Sequence, residues 1–258
     1  MLSQIKELYC YREMLKNLVK QDLRTRYKGS VLGFFWTFLN PLLLLAVYTM
    51  VFSMIMRVNI DNFAMFLFVA LLPWIFFSTS VLNGTGSIVA NKDLIKKVYF
   101  PREVIPLSVV NASLMNLVFS YFILFPSLLV FGVNITSAII YLPLAMIPLY
   151  LLALGIALIT SALNVYFRDL EHILGILMMA WFFSTPILYP VEMLPQIYLK
   201  YFMLNPVAPI VLAFRDILFY GNIPNLVVLL YSTITAILLV IFGYSLFQML
   251  QKNFAEEI

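Results

Sequence analysis

The side chains most often used in catalysis are scarce in this chain. Its single histidine, His172, lies in the charged run Arg168-Asp169-Leu170-Glu171-His172. A metal site needs two or three such ligands, and a catalytic triad needs a nucleophile with a base and a group that orients the base. The single cysteine, Cys10, can form neither an internal disulfide nor a cysteine-based metal site. We therefore expect no catalytic residue, no metal and no cofactor on this chain.

The sequence also lacks the residues that would supply energy for transport. It has no Gly-x-x-x-x-Gly-Lys-Ser/Thr run, which is the phosphate-binding loop of many nucleotide hydrolases. Ionisable residues are missing from the central parts of the apolar stretches described below, where ion-driven transporters need them. Energy, if it is used, must come from outside this chain.

Aromatic residues are abundant, at 16% of the chain. Aromatic faces stack on the apolar faces of sugar rings without fixing one geometry, which would suit a conduit for a sliding polymer. The ordinary aromatic belt at a membrane interface is the alternative interpretation of these residues. The candidate conduit residues are Phe34, Trp36, Phe38, Tyr48, Trp181, Phe182 and Phe183.

Six apolar stretches carry these residues, each near the ~20 residues needed to cross a hydrocarbon core. The chain is 63% hydrophobic and 11% charged, whereas a soluble domain has roughly 25% charged residues. The predicted fold class is an all-α integral membrane protein with six transmembrane helices. The predicted spans are Val31–Met56, Phe63–Leu82, Val104–Phe131, Tyr141–Asn164, Ile173–Tyr189 and Leu226–Met249.

The cations fall almost entirely on alternate sides of these spans. Seven precede the first span, four lie in the second connection, and Arg168 and Lys252 occupy the fourth connection and the tail. The opposite side holds only Arg57, Lys200 and Arg215. Because Lys and Arg are retained in the cytoplasm, we expect a multi-pass protein of the cytoplasmic (inner) membrane with both termini cytoplasmic. The cations are spread over separate loops, so nucleic acid is not an expected partner.

Two amphipathic segments are expected on the cytoplasmic side. Within 1–30, apolar residues recur at three- and four-residue steps between basic ones, which predicts a helix in the headgroup layer that ends at Gly29. Such a helix is either a membrane anchor or a docking surface. The run Asn83-Gly84-Thr85-Gly86-Ser87 is predicted to break the second span and to start, with Ser87 as N-cap, a surface helix over 87–99. A loop helix that only floats in the interface is the alternative.

The external connection over 190–225 holds five of the thirteen prolines. Within it, the stretch 207–220 is too short to span the membrane and too apolar for a water-exposed loop, which predicts external re-entrant helices between spans five and six. Arg215 and Asp216 lie in this stretch. As sequence neighbours they cannot face each other on a helix, so each needs another partner, unless both reach the headgroups. We name this pair as a candidate external gate.

Four motifs together resemble the ABC-2 type permeases of polysaccharide exporters, which move lipid-linked O-antigen, teichoic acid or capsule. Their order along the chain matches a six-span plan, and the resemblance covers essentially the whole chain. The motifs are Arg26-Tyr27-Lys28-Gly29-Ser30-Val31-Leu32-Gly33-Phe34-Phe35-Trp36 with Asn40-Pro41-Leu42, Asn91-Lys92-Asp93-Leu94-Ile95-Lys96-Lys97 with Phe100-Pro101-Arg102, Tyr166-Phe167-Arg168-Asp169-Leu170, and Thr185-Pro186-Ile187-Leu188-Tyr189-Pro190 with Leu204-Asn205-Pro206.

The resemblance implies a homodimeric permease that binds two separate ATPase subunits, which carry the ATP and magnesium. It implies that Asn91, Lys92, Asp93, Leu94, Ile95, Lys96 and Lys97 form a coupling helix that contacts the ATPase. It also implies a conduit lined by spans one and five, so that spans two and three, with Phe66 and Phe119, are expected to be peripheral. The substrate would be a lipid-linked glycan on an undecaprenyl diphosphate carrier. The candidate ligands of that diphosphate are Arg24, Arg26 and Lys28, although topology alone also places cations there.

Two other functions remain open on the sequence. A drug or lipid exporter of the same superfamily would share the spans but lack a wide aromatic conduit. A polyprenyl-linked membrane transferase would need clustered acids and histidines, which this chain does not have.

Overall fold

The computed structural model describes residues 9–25, 29–55, 60–193, 195 and 204–257, without the side chains of 53–55, 255 and 256. The described residues form a bundle of helices, and no strand occurs among them. Short 3-10 or π segments flank α2, α6, α8 and α9. The helices are α1 (Arg12–Thr25), α2 (Trp36–Thr49), α3 (Phe63–Ala90), α4 (Lys92–Lys97), α5 (Val104–Val130), α6 (Leu142–Tyr166), α7 (Leu170–Phe183), α8 (Ala208–Arg215), α9 (Leu226–Leu250) and α10 (Phe254–Glu257).

Five helical stretches in the described residues are long and apolar enough to cross a membrane. They are Gly33–Phe52, Phe63–Ala90, Val104–Val130, Ser137–Tyr166 and Leu226–Asn253. The prediction of an all-helical membrane protein is confirmed. The fifth predicted span, Ile173–Tyr189, is not one continuous helix. Helix α7 has 14 residues, or about 21 Å, and ends at Phe183 before a turn.

Helix α3 is the centre of the bundle. Within its most apolar window 78% of the residues are buried, against 17% for the first stretch. It packs against α2, α5, α6, α7 and α8. The expectation that span two is peripheral is therefore wrong, because Phe66 is fully buried. A uniformly apolar span has no polar face from which its position in the bundle can be inferred.

The predicted break at 83–87 does not occur, because α3 continues through it to Ala90. The small residues there serve helix packing: a Cβ on Gly84 would lie 2.8 Å from the Cβ of Ala157 in α6. At the next residue, Thr85 Oγ1 donates to Thr160 Oγ1 of α6 at 2.8 Å. Ser87 is not an N-cap, since it lies inside α3 and its hydroxyl donates to the Gly84 carbonyl at 2.6 Å. Membrane helices tolerate glycine where neighbouring helices approach closely.

Helices α6 and α9 approach each other through glycine. A Cβ on Gly155 would lie 2.8 Å from the Leu239 carbonyl carbon, and one on Gly243 would lie 2.5 Å from the Gly155 oxygen. Neither contact is possible with a larger residue unless the backbones separate. This pair fixes the last span against the fourth, which positions the carboxyl-terminal tail beside the start of α5.

The amino-terminal helix α1 lies beside α5. Its apolar residues Met14, Leu15 and Leu18 pack against a small hydrophobic cluster that includes Phe100 and Val104. The amphipathic helix is therefore observed over Arg12–Thr25, and its apolar face contacts protein. Its polar face is exposed, and there Lys16 Nζ donates to Glu13 Oε1 at 2.9 Å, which lowers the pKa of the Glu13 carboxyl.

Candidate transport and coupling sites

The candidate conduit residues of α2 and α7 meet on the surface of α3. Tyr48 stacks on Phe182 with ring centroids 5.5 Å apart, and Phe182 lies 5.6 Å from Trp74 of α3. Trp181 meets the edge of Phe77 at 5.1 Å. We call Tyr48, Trp181 and Phe182, with Trp74 and Phe77, the outer aromatic cluster. Sequence reasoning missed Trp74 and Phe77, because their helix was assigned to the periphery.

Trp181 is held by a polar contact as well as by packing. Its indole N–H donates to Asn205 Oδ1 at 2.8 Å, and Asn205 Nδ2 donates to Thr185 Oγ1 at 3.0 Å. These bonds join the end of α7 to the Leu204-Asn205-Pro206 segment. Trp181 is therefore partly a structural residue. Phe183 meets the edge of Phe182 with ring centroids 5.3 Å apart, and it is half exposed.

The remaining candidate aromatics gather at the other end of α2. Phe34 packs edge-on against Phe38 at 5.5 Å and against Phe119 of α5 at 5.2 Å. The indole N–H of Trp36 donates to Ser30 Oγ at 2.9 Å. Phe34 and Trp36 keep exposed surface. The structure therefore separates the seven candidate residues into two groups along α2, and only the outer group includes α7.

The predicted coupling helix is shorter than its expected range of 87–99. It is α4, Lys92–Lys97, and it follows the end of α3 after one residue, Asn91. Asn91 Nδ2 donates to the Ser87 carbonyl at 2.9 Å, which fixes the bend between the two helices. Ile95 is buried and Leu94 half-buried in the small cluster beside α1. The side chains exposed by α4 and the residues after it are Lys92, Asp93, Lys96, Lys97, Val98 and Tyr99.

The segment after α4 is tied to the carboxyl-terminal tail. Glu103 is 5% exposed, and its Oε1 accepts from Tyr244 Oη at 3.2 Å and from Gln248 Nε2 at 3.0 Å. Arg102 donates to the Gln251 carbonyl and lies over the ring of Phe254, 5.8 Å from its centroid. A displacement of α4 would therefore be transmitted to α5 and α9 together.

Arg215 is the most deeply buried charge among the described residues, at 2% exposure. Its guanidinium carbon lies 3.6 Å from the centroid of the Phe66 ring, and its Nη2 donates to the Ile187 carbonyl at 2.9 Å. Arg215 thus has partners within its own chain. Asp216 begins the π segment Asp216–Tyr220 and is half-buried.

Two nitrogens of Arg215, Nε and Nη1, have no hydrogen-bond partner among the described groups. A buried charge without full hydrogen bonding is costly. The cation over an aromatic face recovers part of that cost. The structure thus brings Arg215 into contact with the Thr185–Pro190 turn. At that contact, two guanidinium donors of Arg215 remain without a partner among the described groups.

The region around α8 lies at the opposite end of the bundle from α4. All of Ala208–Arg215 except Leu212 is buried, mainly against α3, α6 and α9. Thr136 Oγ1, in the connection before α6, donates to the Gly221 carbonyl at 2.8 Å. Of the short helices predicted between spans five and six, α8 is present, and residues 194 and 196–203 lie outside the described residues. The re-entrant placement of α8 stays a prediction.

The candidate diphosphate ligands are only partly described. Arg24 is exposed in the last turn of α1, whereas Arg26 and Lys28 lie outside the described residues. His172 is exposed at the start of α7. No three His, Cys, Asp or Glu side chains in the described ranges are close enough to hold a metal ion.

Comparison with known protein families shows which family the chain belongs to. The family described as ABC-2 type transporter matches residues 13–219, which is most of the chain. The chain belongs to the ABC-2 type transporter family. The resemblance found in the four sequence motifs is thereby confirmed. The matched range includes almost all of α1 and ends before α9.

Individual ABC-2 relatives align along nearly the full length of this chain. It is 38% identical over 260 residues to the O-antigen export system permease protein RfbA of Myxococcus xanthus, and the alignment covers 100% of both chains. It is 36% identical over 246 residues to a protein of the same name from Klebsiella pneumoniae, covering 95% of this chain and 94% of that one. It is 27% identical to the polysialic acid transport protein KpsM of Escherichia coli, covering 90% and 91%.

Proposed function

We propose that this chain is the permease subunit of an ABC exporter that moves a lipid-linked polysaccharide across the cytoplasmic membrane. ATP hydrolysis on a separate subunit drives the movement. The observation that carries the proposal is the full-length similarity, at 38% identity, to an O-antigen export permease. O-antigen is therefore favoured over teichoic acid as the class of glycan.

The exposed faces of α2 and α7 support a homodimer with a conduit between its two copies. Large apolar side chains are exposed on both helices and on the short segments that flank α2: Phe34, Phe35, Leu43, Val47, Met50, Ile173, Ile176, Leu177, Met179 and Phe183. Lipid would cover such a surface equally well, but the aromatic residues among them suit sugar rings. A conduit between copies would place the outer aromatic cluster beside its wall.

Helix α4 supports docking of the ATPase subunit. Its apolar side is fixed in the bundle through Ile95, and its charged side is exposed at one end of the molecule. A push on this helix reaches α3 through the Asn91 bend and reaches α5 and α9 through Glu103. In this mechanism, closure of the ATPase pair displaces α4 and shifts the two permease halves apart.

The path of α7 supports six crossings with both termini in the cytoplasm. At its start, Glu171 lies beside Gly86 near the α4 end of the bundle. The turn that follows α7 contacts Arg215 of α8 through the Ile187 carbonyl, and α8 lies at the opposite end of the bundle. Gly221, shortly after α8, accepts there from Thr136. Helix α7 with its turn would thus complete a crossing that its 14 residues alone cannot make.

The remaining candidate residues have roles at the two mouths of the conduit. Arg24, Arg26 and Lys28 receive the lipid diphosphate at the cytoplasmic side, because arginine forks match phosphate oxygens. Arg215 and Asp216 act at the external gate, where opening would give the free donors of Arg215 new partners.

A deletion strain tests the proposal. Loss of this chain is expected to remove polysaccharide from the cell surface while the same glycan accumulates inside, because synthesis does not need the permease. Extracts of intact cells and of lysates would be compared by gel and glycan staining, with the gene restored on a plasmid as the control. Normal surface glycan together with a new sensitivity to drugs would favour the drug-exporter alternative and contradict the proposal.

A further inference from the structure

A small polar cavity lies within the protomer, between α2, α3 and α5. Its volume is about 70 Å³. Polar side chains from all three helices line it, although this region lies among apolar spans. They include Trp36, Thr37, Asn40, Thr79, Asn116 and Ser120. Polar groups inside a membrane bundle are costly and therefore require an explanation.

Two of the lining oxygens have no partner. Thr37 is 5% exposed, and its Oγ1 forms no hydrogen bond within the described structure. The buried Oδ1 of Asn116 has no donor there either. One of these groups can donate a proton and the other accepts one, so the cavity contains an unused donor and an unused acceptor.

The backbone of α2 adds a third polar group to the same place. Pro41 lies inside α2 and lines the cavity. Because proline has no N–H, the carbonyl of Thr37, four residues earlier, lacks its usual helical donor. In membrane helices such a freed carbonyl is satisfied by neighbouring side chains or by ordered water. The hydroxyls of Thr79 and Ser120 donate to the carbonyls of Ile75 and Asn116 at 2.7 and 2.9 Å, which leaves their lone pairs as acceptors.

We propose that this cavity is a binding site for hydroxyl groups. A hydroxyl both donates and accepts, so it matches the unused groups of Thr37 and Asn116, which an acyl chain would leave unsatisfied. A water molecule occupies about 30 Å³ in the liquid, so the cavity holds a few waters or one sugar hydroxymethyl group, but not a whole sugar ring.

The hydroxyl has two possible sources, resident water or the glycan. Trp36 and Asn40 are exposed at the mouth of the cavity, on the helix that is proposed to face the conduit. The bond from Trp36 to Ser30 restrains the indole there. The glycan source rests on the proposed function, whereas the water source does not.

Hydroxyl-radical footprinting of the purified permease in nanodiscs tests the site. Radicals formed from bound water oxidise buried neighbours. Leu117, which lines the cavity and is 3% exposed, should therefore be oxidised several-fold faster than Leu149, which is fully buried in the core. Replacement of both polar residues, Thr37→Val with Asn116→Leu, should abolish that difference. Thr37→Ser keeps the hydroxyl and should preserve it.

Matched controls exist elsewhere in the chain. Thr49 and Asn164 also carry buried oxygens without partners, but neither lines the cavity. Thr49→Val with Asn164→Leu should therefore leave the oxidation of Leu117 unchanged. Elution of each variant as a single species shows that the comparison is made on folded protein.

A sugar probe separates the two sources. An acid hydrolysate of the host's own surface polysaccharide should protect Leu117 and Trp36 from oxidation if sugar hydroxyls enter, and should have no effect if resident water alone occupies the cavity. Either result supports the site. Oxidation of Leu117 no faster than that of Leu149, with no change in the Thr37 and Asn116 variants, would mean a dry cavity and would overturn it. The measurement needs no transport, so its failure is separate from failure of the proposed function.

Discussion

Arg215 is a buried charge whose position next to Phe66 and the Ile187 carbonyl was not predictable from its sequence neighbours. Sequence reasoning identified the residue and its need for a partner. It could not supply the partner, because Phe66 and Ile187 come from a helix and a turn that are distant in the chain. The Nε and Nη1 donors of Arg215 have no partner among the described groups. If their removal affects transport, the charge is functional; if it does not, the charge is structural.

Arg215→Met tests that distinction. Methionine has a similar volume and removes the desolvation cost of the guanidinium, so the free energy of unfolding should fall by no more than ~1 kcal/mol or should rise. Transport should nevertheless fall, because the external gate loses its donors. Thermal unfolding in detergent and export in cells give the two values, with Arg215→Lys as the variant that keeps the charge. Unaltered export by Arg215→Met would show that Arg215 has no gating role.

The aromatic residues need a test that distinguishes a role in lining the conduit from a role in packing the helices. Tyr48 and Trp181 are embedded in the outer aromatic cluster, and Phe66 is in the core, so substitutions there would disturb the fold as well. Phe34 and Phe183 are better choices, since they are 45% and 51% exposed. Phe34→Ala with Phe183→Ala should slow export several-fold, because each stacking contact contributes ~1 kcal/mol.

The matched control for this pair is Phe122→Ala with Phe242→Ala. These rings are 71% and 59% exposed, on α5 and α9, and lie outside the proposed conduit. Export should remain close to that of the parent protein. An equal loss in both double variants would mean that exposed aromatics anchor the protein in the membrane.

At the scale of helices, the existence of the long spans was predictable but their rotation was not. In a soluble helix the polar face identifies the surface, whereas here both the buried and the lipid-facing sides are apolar. Trp74 and Phe77 were missed for this reason. The glycines of α3 were misinterpreted as a break because their neighbours, Ala157 for Gly84 and Glu171 for Gly86, lie on helices distant in the chain. By contrast, α1 and α4 touch water, and their charged faces were identified correctly from periodicity.

Helix α4 carries the prediction about coupling. Ile95 is buried, so its substitution would disturb the hydrophobic cluster; the exposed Lys96 and Lys97 test docking more directly. Lys96→Glu with Lys97→Glu should weaken binding of the ATPase subunit and reduce export, while the permease still inserts. Co-purification from membranes measures the binding.

The same charge reversal on α1 provides the comparison. Lys16 and Lys20 are exposed on its polar face. If α1 is an anchor, Lys16→Glu with Lys20→Glu should leave ATPase binding intact. If the α1 variant loses ATPase binding and the α4 variant keeps it, the docking surface is on α1 and the assignment to α4 is wrong.

For the whole molecule, the decisive structural question is whether the short helix α7 and its turn complete a sixth crossing. Cysteine labelling answers it in a Cys10→Ser background, because Cys10 is exposed and would react. Asp61 is preferred over Asn62 as a labelling site, since Asn62 has a left-handed backbone that strains other residues.

Cysteines at Asp61, Asn134 and Asn222 should react with an impermeant reagent added to intact cells, whereas cysteines at Lys92 and Arg168 should react only after lysis. This pattern follows from the distribution of cations and from the contact between Thr136 and Gly221. If the cysteines at Arg168 and Asn222 are labelled from the same side, α7 does not cross the membrane.

Reconstitution measures the central claim, that this chain is the route of a lipid-linked polysaccharide driven by ATP on another subunit. The permease and its ATPase would be placed in liposomes with the host's lipid-linked glycan, and a glycan-cleaving enzyme outside the vesicles would report the fraction exposed. We predict that addition of ATP changes the exposed fraction, that neither the permease alone nor a non-hydrolysable ATP analogue does so, and that Phe34→Ala with Phe183→Ala slows the change. An exposed fraction that does not respond to ATP in the complete complex would contradict the account.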